Sequence, residues 1–364
     1  MAEASPHGWI ILDKPLELGS TQAVGAVKRN FREAGIKVSG KGGGVTKVGH
    51  GGTLDPLATG VLPIALGEAT KLSGRMLDAA KMYDFTICFG TETDTLDAEG
   101  AVVAESDVRP TLADVEAVLQ RFTGPIEQVP PTYSALKVDG QRAYDRARAG
   151  EQVQMKARAV TIHALTPLPF RGGELAGEVG SKHPPGVSKS SWEDDLPNST
   201  GQLGGGVPQA LHPIDSPHPN PSPEGEGLNE ITLTAHVSKG TYIRSLARDI
   251  ARAVNTVGHV TMLRRTKAGP FTLEHAISLD KLNEIGKGAP LEDIILPFEA
   301  GLDGIPALSL TPDQARRVQQ GQVVTGIASD DGEYWVHGGD LVPLALVSLE
   351  ASELRVIRGF NINA

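Results

Sequence analysis

The chain has 364 residues, 40% hydrophobic and 21% charged, which is enough for two packed domains and excludes a wholly disordered protein. Its single cysteine, Cys88, excludes a disulfide framework and any multi-cysteine zinc or iron–sulfur site, and it favours a cytosolic location. The sequence has no apolar run of membrane-spanning length, and we expect no secretory signal from its first residues.

The net charge of −10 argues at first sight against a protein that binds nucleic acid. The charges are unevenly distributed, however: residues 26–50 hold six basic residues and one acidic, and residues 231–270 hold seven basic and one acidic. Residues 181–230 hold two basic and seven acidic residues. Basic runs are usually solvated surface, but residues 26–50 and 231–270 form a basic face if the fold brings them together.

Hydrophobic periodicity and turn residues predict the elements of the first half of the chain. In order, they are a strand at 8–13, a helix at 21–35, an apolar segment at 62–66, a helix at 69–80, a strand at 81–89, a short strand at 102–103, a helix at 111–122 and a strand at 160–165. Residues 125–150 are predicted as a loop, because Pro130 and Pro131 block regular structure.

The second half begins with a change of composition. Residues 172–230 are dominated by proline, glycine and serine and have no apolar period, so we predict a disordered insert. Alternation then predicts a strand from Ile231, an amphipathic helix at 241–254 and a basic strand or turn at 261–267. After Pro297, short alternating pieces predict a small β-rich domain.

Simple motif searches exclude several kinds of site. The glycine-rich segment 40–60 lacks the P-loop pattern, because Gly40-Lys41 is followed by Gly42. The acidic turn at 90–100 does not have the calcium spacing of an EF-hand, and the chain contains neither GxSxG nor HExxH. Asp55 lies in the glycine-rich segment, and its residue type alone favours a local Asx turn over a catalytic carboxylate.

Five motifs in order resemble those of the bacterial tRNA pseudouridine-55 synthases, the TruB-type family. They are GHGGTLDPLATGVLPIALGEATK, KMYDFTICFGTETDTLDAEG, PPTYSALKVDGQRAYDRARAG, SKGTYIRSLARDIA and MLRRTKAGPF. With LDKP near the start, the resemblance extends from Gly8 to Phe271. The C-terminal segment more loosely resembles an RNA-binding domain of the PUA type.

The resemblance implies site residues for this chain. Asp55 matches the catalytic aspartate of the family, and Arg244 matches the arginine that pairs with it. The other matches are Tyr83 and Tyr242 for the residues that sandwich the target uracil, His50 for the flipped-base site, and Leu263 for the uracil pocket. By residue type alone, a hydrophobic core is the better interpretation for the tyrosines and the leucine, and a surface charge is the better one for the arginine.

The resemblance also implies the reaction, which isomerises the T-loop uridine of tRNA to pseudouridine. The C–N glycosidic bond breaks, the uracil rotates, and a C–C bond forms to the same sugar carbon. We expect neither a cofactor nor a metal, because an isomerisation needs no redox carrier or ATP. The aspartate acts either as a nucleophile at the sugar or as a base at C2′, and the sequence leaves both routes open.

Substrate binding requires that the target base be flipped out of the folded RNA, and His50 would occupy the vacated space. The expected partner is tRNA, with no membrane partner, and we expect a cytoplasmic monomer. Phosphate contacts are predicted for the basic residues Arg244, Arg248, Arg252, Arg264, Arg265 and Lys267.

The fold implied by the resemblance is α/β (α+β), a pseudouridine synthase fold with a mixed, mainly antiparallel central sheet. Residues 1–171 and 231–300 would form the catalytic domain, with an RNA-gripping insertion at about 124–152. Residues 301–364 would form the PUA-like domain.

The chain departs from the family pattern in its first turn. Where the family has KPxGxTS, Glu17 replaces the glycine and Gly19 replaces a hydroxyl residue. These departures and the low net charge motivate an alternative, a tRNA-binding or tRNA-folding protein whose catalysis is secondary or lost. A further alternative is a guide-dependent synthase that acts on ribosomal RNA.

Overall fold

A computed structural model of the chain describes residues 6–38, 46–134, 136–138, 140–151, 153–168 and 227–362. The predicted disordered insert therefore lies almost wholly outside the described residues. The strands are β1 (Gly8–Lys14), β2 (Val48–His50), β3 (Ala58–Leu66), β4 (Lys81–Phe89), β5 (Thr91–Thr93), β6 (Val102–Glu105), β7 (Gly124–Gln128), β8 (Lys137–Val138), β9 (Gln141–Arg142), β10 (Arg158–Pro167), β11 (Glu230–Val237), β12 (Gly258–Ala268), β13 (Phe271–Thr272), β14 (Ala307–Ser309), β15 (Val324–Thr325), β16 (Gly332–His337), β17 (Pro343–Glu350) and β18 (Glu353–Gly359). The α-helices are α1 (Ser20–Glu33), α2 (Ser73–Asp78), α3 (Leu112–Leu119), α4 (Ala143–Arg148), α5 (Ile243–Ala253), α6 (Leu279–Gly286) and α7 (Pro312–Gln319).

The central sheet has the strand order β1-β3-β12-β4-β11-β10-β7, with β2 added to β3 and β13 added to β12. Strands β3 and β12 pair in parallel, and the other pairs of this sheet are antiparallel. The predicted mixed, mainly antiparallel sheet is confirmed. Because β12 lies between β3 and β4, residues from three distant segments of the chain become neighbours.

Alternating side chains place a hydrophobic core on each face of this sheet. On β4, Phe85, Ile87 and Phe89 are buried in the core that also contains Phe31 of α1 and Ile250 of α5. The alternation that predicted β4 therefore gives the correct buried face, since successive side chains of a strand point to opposite faces.

The opposite face at the β1 end packs against the C-terminal part of the chain. Trp9 and Ile11 of β1 share a core with Phe298, Leu302 and Phe360. Burial of such large side chains stabilises each by about 1.5–3 kcal/mol relative to exposure. This packing fixes the two parts of the chain against each other.

The C-terminal part contains a five-stranded sheet of order β14-β16-β17-β18-β15, with its own core against α7. This confirms the predicted small β-rich domain. Polar contacts also join it to the part of the chain that contains the central sheet: Lys71 Nζ donates to the Gly359 carbonyl at 2.9 Å, and Asn361 N–H donates to Glu68 at 2.7 Å.

Two predicted elements differ from the structure. The predicted helix at 69–80 is a 3-10 turn, Gly67–Leu72, followed by the short helix α2. The predicted loop at 125–150 was wrong, because it contains β8, β9, α4 and most of β7. Strand β7 includes Pro125, which an edge strand tolerates because the outward position needs no backbone donor.

None of the described helices is both long enough and apolar enough to cross a membrane.

Candidate active site

Five of the six predicted site residues line one cavity of about 330 Å³. They are Asp55, Tyr83, Tyr242, Arg244 and Leu263. The carboxylate comes from the loop between β2 and β3, the two aromatic rings come from β4 and the start of α5, and the leucine comes from β12. The parallel pairing of β3 with β12, beside β4, brings these segments together.

His50, the sixth residue, lies on β2 and is not part of the cavity lining. Its side chain is half-buried, and among the described residues its Nδ1 atom has no hydrogen-bond partner. Burial, together with the positive charge of Arg265, lowers the pKa of His50. The imidazole is therefore predominantly neutral at pH 7.

Asp55 and Arg244 form an ion pair, with Asp55 Oδ2 at 2.8 Å from Arg244 Nη2. The aspartate side chain is 43% exposed and faces the cavity, whereas the arginine side chain is only 7% exposed. A partly exposed carboxylate held by a buried guanidinium has a fixed orientation. The structure thus places the predicted pair in contact.

Arg244 also binds a second carboxylate, which the sequence analysis did not single out. Asp97 Oδ2 lies 3.0 Å from Arg244 Nη1, and the Asp97 side chain is 3% exposed. The carbonyls of Thr95 and Tyr133 accept two further bonds from the guanidinium, at 2.8 and 3.0 Å. A buried guanidinium with four acceptors is compensated for its desolvation and held in one orientation.

Hydrogen bonds from Arg265, which is 1% exposed, hold the backbone of the Asp55 loop. Its guanidinium donates to the carbonyls of Val61 at 2.7 Å, Gly52 at 3.2 Å and Thr53 at 3.3 Å. Gly60 passes so close to Arg265 that a Cβ atom there would lie 2.2 Å from the Arg265 carbonyl oxygen. The last glycine of the GHGGTLDPLATG motif therefore permits this close packing.

Lys14 also holds the Asp55 loop by hydrogen bonds to backbone carbonyls. Its buried ammonium donates to the carbonyls of Leu18 at 2.6 Å, Pro15 at 2.9 Å and Pro56 at 3.2 Å. Burial lowers the pKa of Lys14 to about 8, and the negative charge of Asp55 opposes this fall. The LDKP motif thus supplies a cation that joins the first turn to the residue after Asp55.

The first turn keeps its contacts to the Asp55 loop despite its two departures from the family pattern. Ser20 Oγ donates to the Leu54 carbonyl at 2.9 Å and accepts the Leu54 N–H at 2.8 Å. Glu17 donates its backbone N–H to the Pro56 carbonyl at 3.0 Å. Gly19 is the N-cap residue of α1 and donates its N–H to Gln22 Oε1 at 2.7 Å.

Glu17 adopts φ = +66°, a left-handed conformation that is unfavourable for a residue with a Cβ atom. We expect Glu17→Gly to raise the free energy of unfolding by about 0.5–1 kcal/mol, because relief of this strain exceeds the extra entropy of glycine in the unfolded chain. The backbone bond to Pro56 is retained. Thermal or urea unfolding of the two proteins measures the difference, and a less stable variant contradicts the interpretation.

Lys81 lines the same cavity, but its ammonium is already engaged. It donates to the carbonyls of Met76 at 2.9 Å, Leu77 at 2.6 Å and Ala79 at 2.6 Å. Burial lowers the pKa of Lys81 to about 8. The lysine of the KMY motif therefore fixes the end of α2 beside the cavity rather than offering a free donor to a ligand.

The six predicted phosphate contacts divide into three groups: two buried arginines, three arginines that pair with an acidic residue, among them Arg248 with Asp249, and one exposed lysine. Arg244 and Arg265 are buried and hydrogen-bonded inside the protein, so the prediction was wrong for them. Arg252 pairs with Glu92, and Arg264 pairs with Asp13. Lys267 is exposed on β12, so it remains accessible to a phosphate.

Within the described ranges, no group of three or more His, Cys, Asp or Glu side chains is arranged to hold a metal ion.

Two family models match the chain. Residues 41–183 match the TruB family pseudouridylate synthase (N-terminal domain), and residues 244–303 match the tRNA pseudouridylate synthase B C-terminal domain. A tRNA pseudouridine synthase B of Novosphingobium aromaticivorans is 58% identical, over 98% of this chain and 97% of that protein. The chain belongs to the TruB family of pseudouridylate synthases. A second relative of the same name, from Zymomonas mobilis, is 48% identical over 98% of this chain and 96% of its own.

Solved structures share the fold of this protein over almost the whole chain. A chain of a Cbf5–Nop10–Gar1 complex superposes with a TM-score of 0.62 and 22% identity, covering 97% of this chain and 85% of its own. A chain of an H/ACA RNP bound to a substrate RNA containing 2′-deoxyuridine has a TM-score of 0.60 and 20% identity, with the same coverage. At these identities the likeness shows the shared fold.

The buried charges that hold this candidate site together were not predicted from the sequence. Asp97 was interpreted as part of a polar turn, and Arg265 as a surface cation. The available signal was their position inside matching motifs, TDTLD for Asp97 and MLRRTK for Arg265. Lys14 stood in LDKP, which was quoted for resemblance alone.

Proposed function

We propose that this protein isomerises the T-loop uridine of tRNA, position 55, to pseudouridine, with Asp55 as its catalytic residue. The observation that carries the proposal is the Asp55–Arg244 ion pair, 2.8 Å long, in the wall of a cavity that two tyrosines also line. The relatives named tRNA pseudouridine synthase B support tRNA as the substrate.

The chemistry follows from the carboxylate. Asp55 attacks the sugar as a nucleophile or removes the proton at C2′, and either role requires the ionised form. Arg244, at 2.8 Å, favours that form against the desolvation that a bound nucleotide imposes. After the C–N bond breaks, the uracil must stay in the cavity while it turns.

The cavity walls fit that requirement. Tyr83 and Tyr242 offer aromatic faces to the detached uracil, and Leu263 closes the pocket with an apolar surface. Burial raises the pKa of Tyr242, so its phenol stays neutral at pH 7. A volume of about 330 Å³ accommodates a small ligand, which agrees with a single flipped nucleotide rather than a paired stem.

The remaining parts of the proposal concern the RNA outside the cavity. His50, on β2, fills the space that the flipped base leaves, and its neutral imidazole supports a role as a wedge. Residues 301–364 act as a PUA-like RNA-binding domain, a role supported by their separate five-stranded sheet. We propose that the protein lies in the cytoplasm, which the single cysteine of the chain supports, and that it is a monomer.

The test is to incubate the protein with an unmodified tRNA transcript, without cofactors or guide RNA. Pseudouridine is then mapped by chemical labelling and primer extension. A single stop in the T-loop supports the reaction, the substrate and the independence from a guide together. Tight tRNA binding without a stop contradicts the proposal and favours a binding or folding role.

The insert provides a separate prediction. Deleting residues 181–225 should leave the activity and the thermal stability nearly unchanged, because shortening a long surface insertion changes closure entropy little. The deletion spares Leu228, whose N–H donates to the Pro110 carbonyl at 2.8 Å. Single-turnover assays and thermal unfolding measure both quantities, and a several-fold loss of activity contradicts the interpretation as a dispensable insert.

A further inference from the structure

Gln128 is a buried polar residue outside the site described so far. It ends the edge strand β7, and its residue exposure is 1%. Its side-chain amide pairs with the backbone of Tyr242 in both directions. Gln128 Oε1 accepts the Tyr242 N–H at 2.8 Å, and Gln128 Nε2 donates to the Tyr242 carbonyl at 3.1 Å.

Tyr242 is the residue that connects the preceding loop to the start of α5. It is the N-cap residue of that helix, and its own side chain makes no capping bond. Its ring lines the cavity, and Arg244 follows two residues later in the first turn of the helix. The two hydrogen bonds hold the peptide units on either side of the Tyr242 Cα atom, so they restrict both the rotation and the displacement of this residue.

We propose that Gln128 is a positioning residue for the reaction, which fixes the start of α5 so that Tyr242 and Arg244 meet the uracil and Asp55 correctly. This inference rests on the proposed function. Displacement of about 1 Å at such a site lowers a reaction rate strongly while leaving remote binding contacts in place. The effect of losing Gln128 therefore falls on the chemical step rather than on tRNA affinity.

A neighbouring contact provides a matched control. Ser245 Oγ, one helical turn from Tyr242, donates to the carbonyl of Val129 at 2.8 Å. Arg248 Nη2 donates to the same carbonyl at 3.2 Å. The Val129 carbonyl therefore keeps one donor when the serine hydroxyl is removed. Ser245→Ala thus weakens the contact between the same two segments without touching the pair formed by Gln128 and Tyr242.

The experiment compares the wild-type protein with Gln128→Met, Gln128→Glu and Ser245→Ala. Methionine keeps the approximate shape but has neither donor nor acceptor, whereas glutamate keeps the acceptor, loses the donor and adds the charge of a carboxylate. The measurements are the single-turnover rate at saturating tRNA transcript, the Kd for that transcript, the Tm, and hydrogen exchange over residues 238–246.

We expect Gln128→Met to lower the single-turnover rate by about tenfold or more, with the Kd within threefold of the wild-type value. Exchange over residues 238–246 should accelerate, because the Tyr242 N–H loses its acceptor. Gln128→Glu, which tests the same point if the methionine variant does not fold, should lose several-fold in rate. Ser245→Ala should stay within threefold of the wild-type rate.

Three results overturn the inference: a Gln128→Met rate within twofold of wild type, a rate loss matched in full by weaker binding, or an equal loss in Ser245→Ala. Absence of turnover in the wild-type protein is a different result. It contradicts the proposed function itself, and the two failures are therefore distinguishable.

Discussion

Replacing Asp55 with asparagine should abolish pseudouridine formation and leave tRNA binding largely intact. Asparagine has nearly the same shape but no negative charge, so it serves neither as a nucleophile at the sugar nor as a base at C2′. We expect the single-turnover rate to fall by roughly 10³-fold or more, the scale of losing a central catalytic group. The Kd for the transcript should change little, because one small side chain contributes little to a large RNA interface.

Asp78→Asn is the control for this prediction. Asp78 ends α2 near the cavity, and its exposed carboxylate pairs with Lys239 at 2.9 Å. Loss of that charge changes the local potential without removing the group that faces the cavity. Wild-type activity is expected in the control. Full activity in Asp55→Asn would contradict the assignment of Asp55 as the catalytic residue.

The elements that could be predicted are those with a local pattern. Strand β4 alternates along its own sequence, so its buried face was evident before any partner was known. The same holds for α5, with apolar residues on one face and arginines on the other. The meeting of Asp55 with Arg244 has no local pattern, and it was predicted only because both residues lie in motifs of a known family.

The elements that could not be predicted depend on contacts between distant segments. Strand β7 lies mostly within the segment predicted as a loop, and it forms a strand through pairing with β10. Asp97 has the residue type of a solvated turn, and it becomes a buried partner of Arg244 because its neighbour Leu96 accepts a backbone bond from Val260 at 3.1 Å. Buried charges are rare and need specific partners, so composition and periodicity do not indicate them.

Replacing Arg244 with methionine should impair both stability and catalysis. The Asp97 side chain, 3% exposed, loses its cationic partner and keeps only the Thr95 hydroxyl and the Glu99 N–H as donors. Breaking a buried pair in this way typically costs about 3–5 kcal/mol. Asp55 loses its orientation at the same time, and we expect the single-turnover rate to fall by roughly 10²-fold or more. Urea unfolding and single-turnover assays measure the two effects.

The double variant Arg244→Met with Asp97→Asn separates these effects. Removing the Asp97 charge should restore a substantial part of the lost stability, because a neutral amide is less costly to bury than an unpaired carboxylate. The rate should remain low, since Asp55 still lacks the guanidinium that holds it at 2.8 Å. If Arg244→Met alone is as stable as the wild-type protein, burial of the Asp97 carboxylate does not depend on Arg244. Recovery of the rate in the double variant would show that Arg244 serves the fold, with Asp55 acting unaided.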